Sequence, residues 1–477
     1  MSPKHATVRR SPENSVQMTI DNTNTLSRWT VLFWLFLSVA ISAGCGYWVE
    51  SNANGDGLTD FRAIYFSARA VMDRRDPYRP GDFLEAYKAE GGTFPKDTSR
   101  LRAFNQSVPV CVNLPSTLFV IAPIALLKWA PAHFLWMLLL PAGLILAGWL
   151  AWEPARIRAP RIACALICLL LANCEILLLV GNASAIVVCL CVVATWCLLR
   201  GHFPAMGILC LGVALAIKPQ EVGFVWLYFL LAGGRHRRRA VQALGITLAL
   251  FLLGALWVSR AAPQWYSEWR SNVASTTARG GINDSGPAAL GNAGLVPVVN
   301  LQSVIGWICD DPRIYNPATY LIVGSLIVVW AATTLLSKAT PQRAWLALAS
   351  ISALTLLPVY HREYDCKLLV LMIPGLAVLW AENRSMRKVA LAVTLAGAVL
   401  TADIPLTILF TINKSLNLPP NHLAGKILSV LLARVMTFAL LLVGTFYLWA
   451  YAWYARSGHK ETRKVQGPDP ELGTTSA

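Results

Sequence analysis

Charged residues are scarce in this chain, and acidic residues are scarcer than basic ones. Only 14% of the 477 residues are charged and 56% are hydrophobic, with 25 acidic residues against 41 basic ones. This composition excludes an ordinary soluble domain as the main part of the chain. A P-loop is also missing, and no segment has the pattern of a soluble nucleotide-binding domain. The sequence therefore predicts no nucleotide site.

Metal ligands and nucleic-acid signals are missing as well. The eleven cysteines have neither zinc-ligand nor disulfide-framework spacing, and most stand singly in apolar runs. Cys111, Cys309 and Cys366 are expected on one side of the membrane, where a bridge among them stays open. Carboxylates and histidines do not cluster at ligand spacing, so we predict neither a metal nor a cofactor. The net charge of +16 reflects basic residues at helix ends, as in 235–239, and we expect no nucleic-acid partner.

Long apolar runs are the dominant feature of the chain. A helix needs about 20 apolar residues to cross a hydrocarbon core of roughly 30 Å. We predict an all-α polytopic membrane protein with about 11–13 transmembrane helices. A single domain would span 29–455, between a disordered cytoplasmic tail (1–28) and a second cytoplasmic tail (456–477). The runs lie at 29–49, 114–127, 134–152, 162–180, 185–199, 205–217, 222–231, 240–258, 319–336, 345–358, 368–380, 389–404 and 427–454.

The distribution of basic residues predicts the orientation of the chain. The basic tails place the N-terminus inside, so the loops 50–112 and 259–317 are expected outside. The polar turns 181–184, 218–221 and 360–367 are predicted to face the same side. Between residues 113 and 180 the path stays open, and Pro141 and the polar stretch 173–175 are the candidate helix breaks.

The first outer loop is the densest polar region. Residues 50–112 contain nine of the 25 acidic groups and nine basic ones. Apolar spacing from Phe61 to Met72 predicts a helix along the membrane surface, with Asp60 at its start. Asp60 is either an N-cap or a general base for a hydroxyl nucleophile. Asp56 is its local alternative.

Several short motifs resemble glycosyltransferase family 87, the polyprenyl-phosphate-mannose-dependent mannosyltransferases and their relatives in the GT-C superfamily. The resemblance covers about residues 30–410, and its motifs follow one another in the family's order. Two of them depart from the family pattern: Ser116 replaces a proline, and the Gly-Gln-x-Asn motif is altered at Gly181–Asn182. The motifs are Asp60–Ala68, Asp76–Tyr78, Asn113–Ser116, Gly181–Asn182, Lys218–Pro219, and Pro358–Asp365 leading into Leu369–Pro374.

The resemblance implies a GT-C-type fold and a defined chemistry. It implies Asp60 as the base in an inverting transfer of a hexose, mannose first, from a polyprenyl-phosphate-sugar donor to a lipid or cell-envelope glycan. The enzyme would lie in the plasma (inner) membrane, with its site on the outer, periplasmic side. The candidate donor-binding residues are Lys218, His361, Arg362, Asn182 and Tyr65.

Each candidate also has a structural explanation. Lys218 could lie at the membrane interface, His361 could cap a helix, and Arg362 could pair with a neighbouring acid. Asn182 could satisfy broken helix backbone, and packing is the favoured explanation for Tyr65. For the whole chain the alternative is a polytopic transporter or lipid flippase. Against it, no internal repeat is visible and Glu175 is nearly the only acid within an apolar run.

Overall fold

The computed structural model describes residues 26–53, 57–96, 98–289, 298–416, 428 and 430–465. The described chain is helical, and an isolated antiparallel bridge joins Val298 to Arg362. Its α-helices are α1 (Arg28–Ala53), α2 (Thr59–Met72), α3 (Pro80–Ala89), α4 (Thr98–Ser107), α5 (Pro115–Ala125), α6 (Trp129–Ala155), α7 (Pro160–Leu171), α8 (Glu175–Val180), α9 (Ser184–Arg200), α10 (Pro204–Ile217), α11 (Pro219–Leu231), α12 (Gly234–Ala261), α13 (Trp265–Thr277), α14 (Leu301–Ile308), α15 (Pro312–Leu336), α16 (Pro341–Leu354), α17 (Met372–Glu382), α18 (Arg387–Leu400), α19 (Asp403–Leu416) and α20 (Val435–Val465). A 3₁₀ helix, Glu363–Leu371, precedes α17.

The polytopic membrane class is confirmed, although full-length spans are fewer than the predicted 11–13. Within the described residues, six helical segments are long and apolar enough to cross a membrane, or seven if the bent pair α18–α19 is one span. Four further apolar helices have only 10–17 residues. The difference arises because several apolar runs fold as short or broken helices rather than as straight spans.

One of the two candidate breaks in the early part of the chain is present. The run 162–180 divides into α7 and α8, with a break at residues 172–174. Pro141 does not break its helix, because α6 continues from Trp129 to Ala155. A proline is tolerated there because neighbouring groups in a packed bundle can satisfy the freed carbonyl.

The first outer loop is a small helical subassembly on top of the bundle. The helix α2 follows Leu58, whose backbone is left-handed (φ 48°), and it buries one aromatic face. Phe61 stacks on Trp136 of α6 with ring centroids 4.5 Å apart, and it lies 5.6 Å from Trp129. Stacked rings at these separations add to the energy of apolar burial. The packing therefore fixes the start of α2 against the bundle.

Three further expectations concern the two ends of the chain and the cysteines. The last helix continues to Val465, so the first part of the predicted cytoplasmic tail, 456–477, is helical. Residues 1–25 of the expected N-terminal tail lie outside the described residues. All eleven cysteines are free thiols, so the bridge left open among Cys111, Cys309 and Cys366 does not form.

Candidate active site

A tight turn brings the end of α8 onto the start of α2. Gly181 ends α8 with a left-handed backbone (φ 66°), a conformation that glycine adopts without steric cost. The Leu58 amide donates to the Leu179 carbonyl at 2.7 Å, and Trp136 donates to the Gly181 carbonyl at 2.9 Å. A Cβ on Gly181 would lie 2.6 Å from Leu58. Three helices thus fix this turn beside Asp60.

Asp60 is held by the residue that follows the turn. Asn182 Nδ2 donates to Asp60 Oδ2 at 2.6 Å, while Asn182 Oδ1 accepts from the Ser184 amide at 2.9 Å. The second contact satisfies a backbone amide at the start of α9, which is the structural role expected from the sequence. Asn182 therefore has this structural role and also contacts the candidate base. Asp60 does not cap α2: the N-cap position is Leu58, and no side-chain cap bond is present there.

The surroundings of Asp60 change its acidity. The carboxylate is only partly exposed. Burial raises the pKa of Asp60, and the Asn182 amide, the charges of Arg362 and Lys218, and the Tyr364 hydroxyl oppose this rise. A carboxylate with a raised pKa is a stronger base than an ordinary aspartate.

Lys218 lies in a network of oxygen atoms between α10 and α11. Its Nζ is 2.6 Å from Asp365 Oδ1 and 3.4 Å from Glu221 Oε2, and it donates to the Ser184 hydroxyl. Asn182 Oδ1 is 3.3 Å away. Burial opposes the charged form of Lys218, but Asp365 and Glu221 outweigh it and raise the pKa of the ammonium. The ammonium is therefore already paired with two carboxylates.

Asp365 also organises the segment that precedes the 3₁₀ helix. Its Oδ2 lies 2.9 Å from His361 Nδ1 and accepts from the Arg362 amide at 3.2 Å. His361 is fully buried, and its Nε2 has no hydrogen-bond partner among the described residues. The His361 carbonyl accepts from the Val299 amide at 2.7 Å, which joins the second outer loop to the site.

The Arg362 side chain extends into the second outer loop. Its Nε donates to the Tyr360 hydroxyl at 2.5 Å, and its Nη2 donates to the Ile282 carbonyl at 3.0 Å and to Asn283 Oδ1 at 3.2 Å. These acceptors are neutral, and the neighbouring Glu363 carboxylate also acts on the guanidinium electrostatically. The three polar turns and the second outer loop, all expected on one side of the membrane, meet at this point.

The structure adds four members that the sequence did not nominate: Ser184, Glu221, Tyr364 and Asp365. Tyr364 lies between the candidate base and Lys218, whose Nζ is 5.3 Å from the ring centroid. Ser184 donates to Asp365 Oδ1 at 2.6 Å and lies 3.1 Å from Glu221 Oε2. All four lie in or beside the polar turns, so these turns could have been used to nominate them as site residues from the sequence.

Tyr65 and Asp56 are not brought into the network. The Tyr65 ring is fully buried, its hydroxyl donates to the Leu127 carbonyl at 2.8 Å, and Trp129 packs edge-on against it. Packing explains this side chain, as the sequence favoured. Asp56 lies outside the described residues. Within the described residues, no group of three or more His, Cys, Asp or Glu side chains has the arrangement of a metal site.

The arrangement combines a partly exposed carboxylate with a nearby buried arginine. Such a pair can remove a proton from one group while it stabilises negative charge on another. A carboxylate whose pKa is raised by burial and which has cations nearby marks a candidate catalytic site.

The comparison with known families identifies the class of enzyme. The model of glycosyltransferase family 87 matches residues 113–360, more than half of the chain. The chain therefore belongs to glycosyltransferase family 87, and it is a glycosyltransferase rather than a transporter or flippase. No curated protein and no solved structure gives a significant match. The match includes Asn182, Lys218 and Tyr360, but it begins after Asp60 and ends before His361.

Proposed function

We propose that this glycosyltransferase transfers a hexose, mannose first, from a polyprenyl-phosphate donor to a lipid or cell-envelope glycan, with inversion and with Asp60 as general base. The observation that carries the proposal is the held but partly exposed Asp60 carboxylate. Asn182 fixes one of its oxygen atoms, and burial raises its pKa. A base oriented in this way can accept the proton of an acceptor hydroxyl as that hydroxyl attacks the sugar.

Arg362 is the cation we assign to the departing phosphate. A leaving polyprenyl phosphate is already anionic, so the enzyme must stabilise charge rather than protonate the leaving group. The Arg362 charge lies close enough to Asp60 to affect its pKa, and arginine binds phosphate through two parallel hydrogen bonds. Lys218 is the weaker candidate, because its ammonium is paired with Asp365 and Glu221. Lys218 and His361 instead hold Asp365, and Asn182 holds the base.

The site is proposed to face the outer, periplasmic side of the plasma membrane. The helix α12 starts with the basic segment 235–239, which favours the cytoplasmic side for that end. The following helix, α13, contacts the first outer loop at the other end of α12. There Trp269 donates to the Val112 carbonyl at 3.0 Å, and Asn272 donates to the Tyr78 carbonyl at 2.8 Å. The Asp60 loop would then lie on the side opposite the basic segment.

The test is transfer of labelled mannose from polyprenyl-phosphate-mannose by the purified, lipid-reconstituted protein, with a lipid extract of the source membranes as acceptor. The wild type should transfer label, and Asp60→Asn should lose about 10²–10⁴-fold of the rate, the usual contribution of a general base. Asp73→Asn is the matched control, because Asp73 ends the same helix but is exposed.

Two outcomes would contradict the proposal. Transfer from a nucleotide sugar, with none from the polyprenyl donor, would reject the donor class. Equal rates for the wild type and Asp60→Asn, at equal amounts of folded protein, would reject Asp60 as the base.

A further inference from the structure

A second group of buried charges lies beyond the Asp60 network, where broken helices meet. Lys367 of the 3₁₀ helix donates to the Asn173 carbonyl at the break between α7 and α8, and its Nζ lies 3.5 Å from Asp403 Oδ1. Asp403 begins α19 at the second break, where α18 and α19 are bent by 73°. Both charged side chains are buried. Broken helices in a membrane leave backbone groups that need partners, and these charges supply them.

The helix α8 connects this second group to the candidate base. Asp403 Oδ2 accepts from the Ile176 amide at 2.9 Å, in the first turn of α8. At the other end of α8, the Asn182 amide donates to the Leu177 carbonyl at 3.2 Å, and the Asn182 side chain holds Asp60. The helix has six residues, so it spans only about 9 Å. Because α8 is this short, we expect a shift of its first turn to shift its last turn as well.

The 3₁₀ helix makes a second connection between the two groups. It carries Asp365, which pairs with Lys218, and two residues later Lys367, which pairs with Asp403. Both sides of the Asp60 network are therefore attached to the same ion pair, one through α8 and one through the 3₁₀ helix.

We propose that Lys367 and Asp403 are positioning residues for the transfer reaction: their ion pair fixes α8 and the 3₁₀ helix so that Asn182 and Asp365 hold Asp60 and Lys218 in register. The inference rests on the proposed role of Asp60 as base. A buried ion pair gives little net stability, because the desolvation of both charges offsets their attraction. Its directional contacts to the backbone at two helix breaks make it suited to fixing geometry.

The experiment uses the full-length protein in lipid and compares two sets of readouts. Asp403→Ala removes both the ion pair and the acceptor for the Ile176 amide. The double variant Lys367→Met/Asp403→Asn removes both charges but keeps an oxygen that can accept from Ile176. Glu85→Ala breaks an exposed ion pair with Arg75 and serves as the control.

The first readout is hydrogen exchange, which needs no substrate. Asp403→Ala leaves the Lys367 ammonium buried without its partner, which lowers stability generally. We therefore expect the largest acceleration of exchange in peptides covering residues 175–184 and a smaller one in α16 and α20. The double variant should exchange more slowly than Asp403→Ala in the same peptides. Equal acceleration in 175–184, α16 and α20 would overturn the proposal, because it would mark only a general loss of stability. Unchanged exchange in 175–184 would also overturn it.

The second readout is the transfer rate and its pH dependence. For Asp403→Ala we expect kcat/KM to fall about 10–100-fold, since small misplacement of a catalytic group has effects of this size. The acid limb should also move to higher pH, because a loosened Asn182 no longer lowers the pKa of Asp60. Arg362, Lys218 and Tyr364 also lower the pKa of Asp60, and Tyr360 faces it. Any loosening of the 3₁₀ helix that weakens the effect of Arg362, Lys218 or Tyr364 moves the acid limb in the same direction. A reduced rate with an unmoved acid limb would contradict positioning through Asn182.

The two readouts separate this inference from the proposed function. If the wild type transfers no sugar from a polyprenyl donor, the proposed function fails, and hydrogen exchange still decides whether the ion pair holds the 175–184 segment. If the wild type transfers sugar and the exchange of that segment does not change in Asp403→Ala, only the positioning role fails.

Discussion

Replacing Lys218 by methionine tests whether the Lys218 ammonium has a structural role or binds the phosphate of the donor. Lys218 Nζ lies 2.6 Å from Asp365 Oδ1 and 3.4 Å from Glu221 Oε2, and 17% of its side chain is exposed. The two acids are almost fully buried. Methionine has a similar length but no charge, so the variant leaves two carboxylates facing each other without their cation.

The expected cost follows from the burial of the partners. Removing one member of a buried ion pair costs about 3–5 kcal/mol, because it leaves an uncompensated charge in a low dielectric. Removing one member of an exposed pair costs at most about 1 kcal/mol. For Lys218→Met we therefore expect a loss of about 3 kcal/mol or more. The double variant Lys218→Met/Asp365→Asn should recover part of this loss, with a coupling of about 0.5–3 kcal/mol.

The loss should also depend on pH. Burial raises the pKa of Glu221 and the Lys218 charge opposes that rise, so removing the ammonium raises this pKa further. A carboxyl whose pKa is higher in the folded state binds its proton more tightly there than in the unfolded state. The Glu221 contribution to the stability of the variant is then fully present at low pH and is lost as the pH rises through the folded pKa, so the loss caused by Lys218→Met grows with pH.

The assay is the temperature at which half of the protein aggregates, measured by size exclusion after heating, with and without polyprenyl phosphate. Lys218→Met should have a lowered midpoint but keep the upward shift that polyprenyl phosphate causes, because Arg362 is the assigned phosphate ligand. An unchanged midpoint together with a lost response to polyprenyl phosphate would refute the reasoning. It would make Lys218 the phosphate ligand.

Two further predictions test the base and its turn. In the pH–rate profile of the wild type, the midpoint of the acid limb should lie above the ordinary aspartate pKa of about 3.9, because burial raises the pKa of Asp60. In Asn182→Ala the midpoint should move higher still, because the hydrogen bond that lowers this pKa is lost. Transfer rates measured across pH test both statements, and an unmoved acid limb in the variant would contradict the effect of the hydrogen bond. Gly181→Ala should destabilise the protein by about 2 kcal/mol or more, from left-handed strain and a clash with Leu58, and should slow transfer. Gly91→Ala, with the same backbone sign (φ 79°) and no atom within 4 Å of the added Cβ, should show only the strain; equal loss in both would argue against the clash.

Much of the architecture could be predicted because its signals are local. Apolar runs identify membrane helices, and the basic residues at their ends predict which polar turns share a side. The break at residues 172–174 was predictable in place, since Asn173 and Glu175 interrupt an apolar run. Helix lengths were less predictable. A run such as 162–180 has the composition of one span, but tertiary contacts that satisfy broken backbone allow two short helices instead.

The pairing of the charged residues in the site could not be predicted from the sequence, for a different reason. Sequence spacing favours Glu221 as the partner of Lys218, because the two stand three residues apart. The nearer acid is Asp365, 147 residues away in the chain, and Asn182 reaches Asp60 across 122 residues. Such partners are decided by helix packing, and nothing in local composition specifies it. The consequence is chemical: a lysine that looks available for a phosphate in the sequence is paired with two acids in the fold, and this is why we propose Arg362 rather than Lys218 as the phosphate ligand.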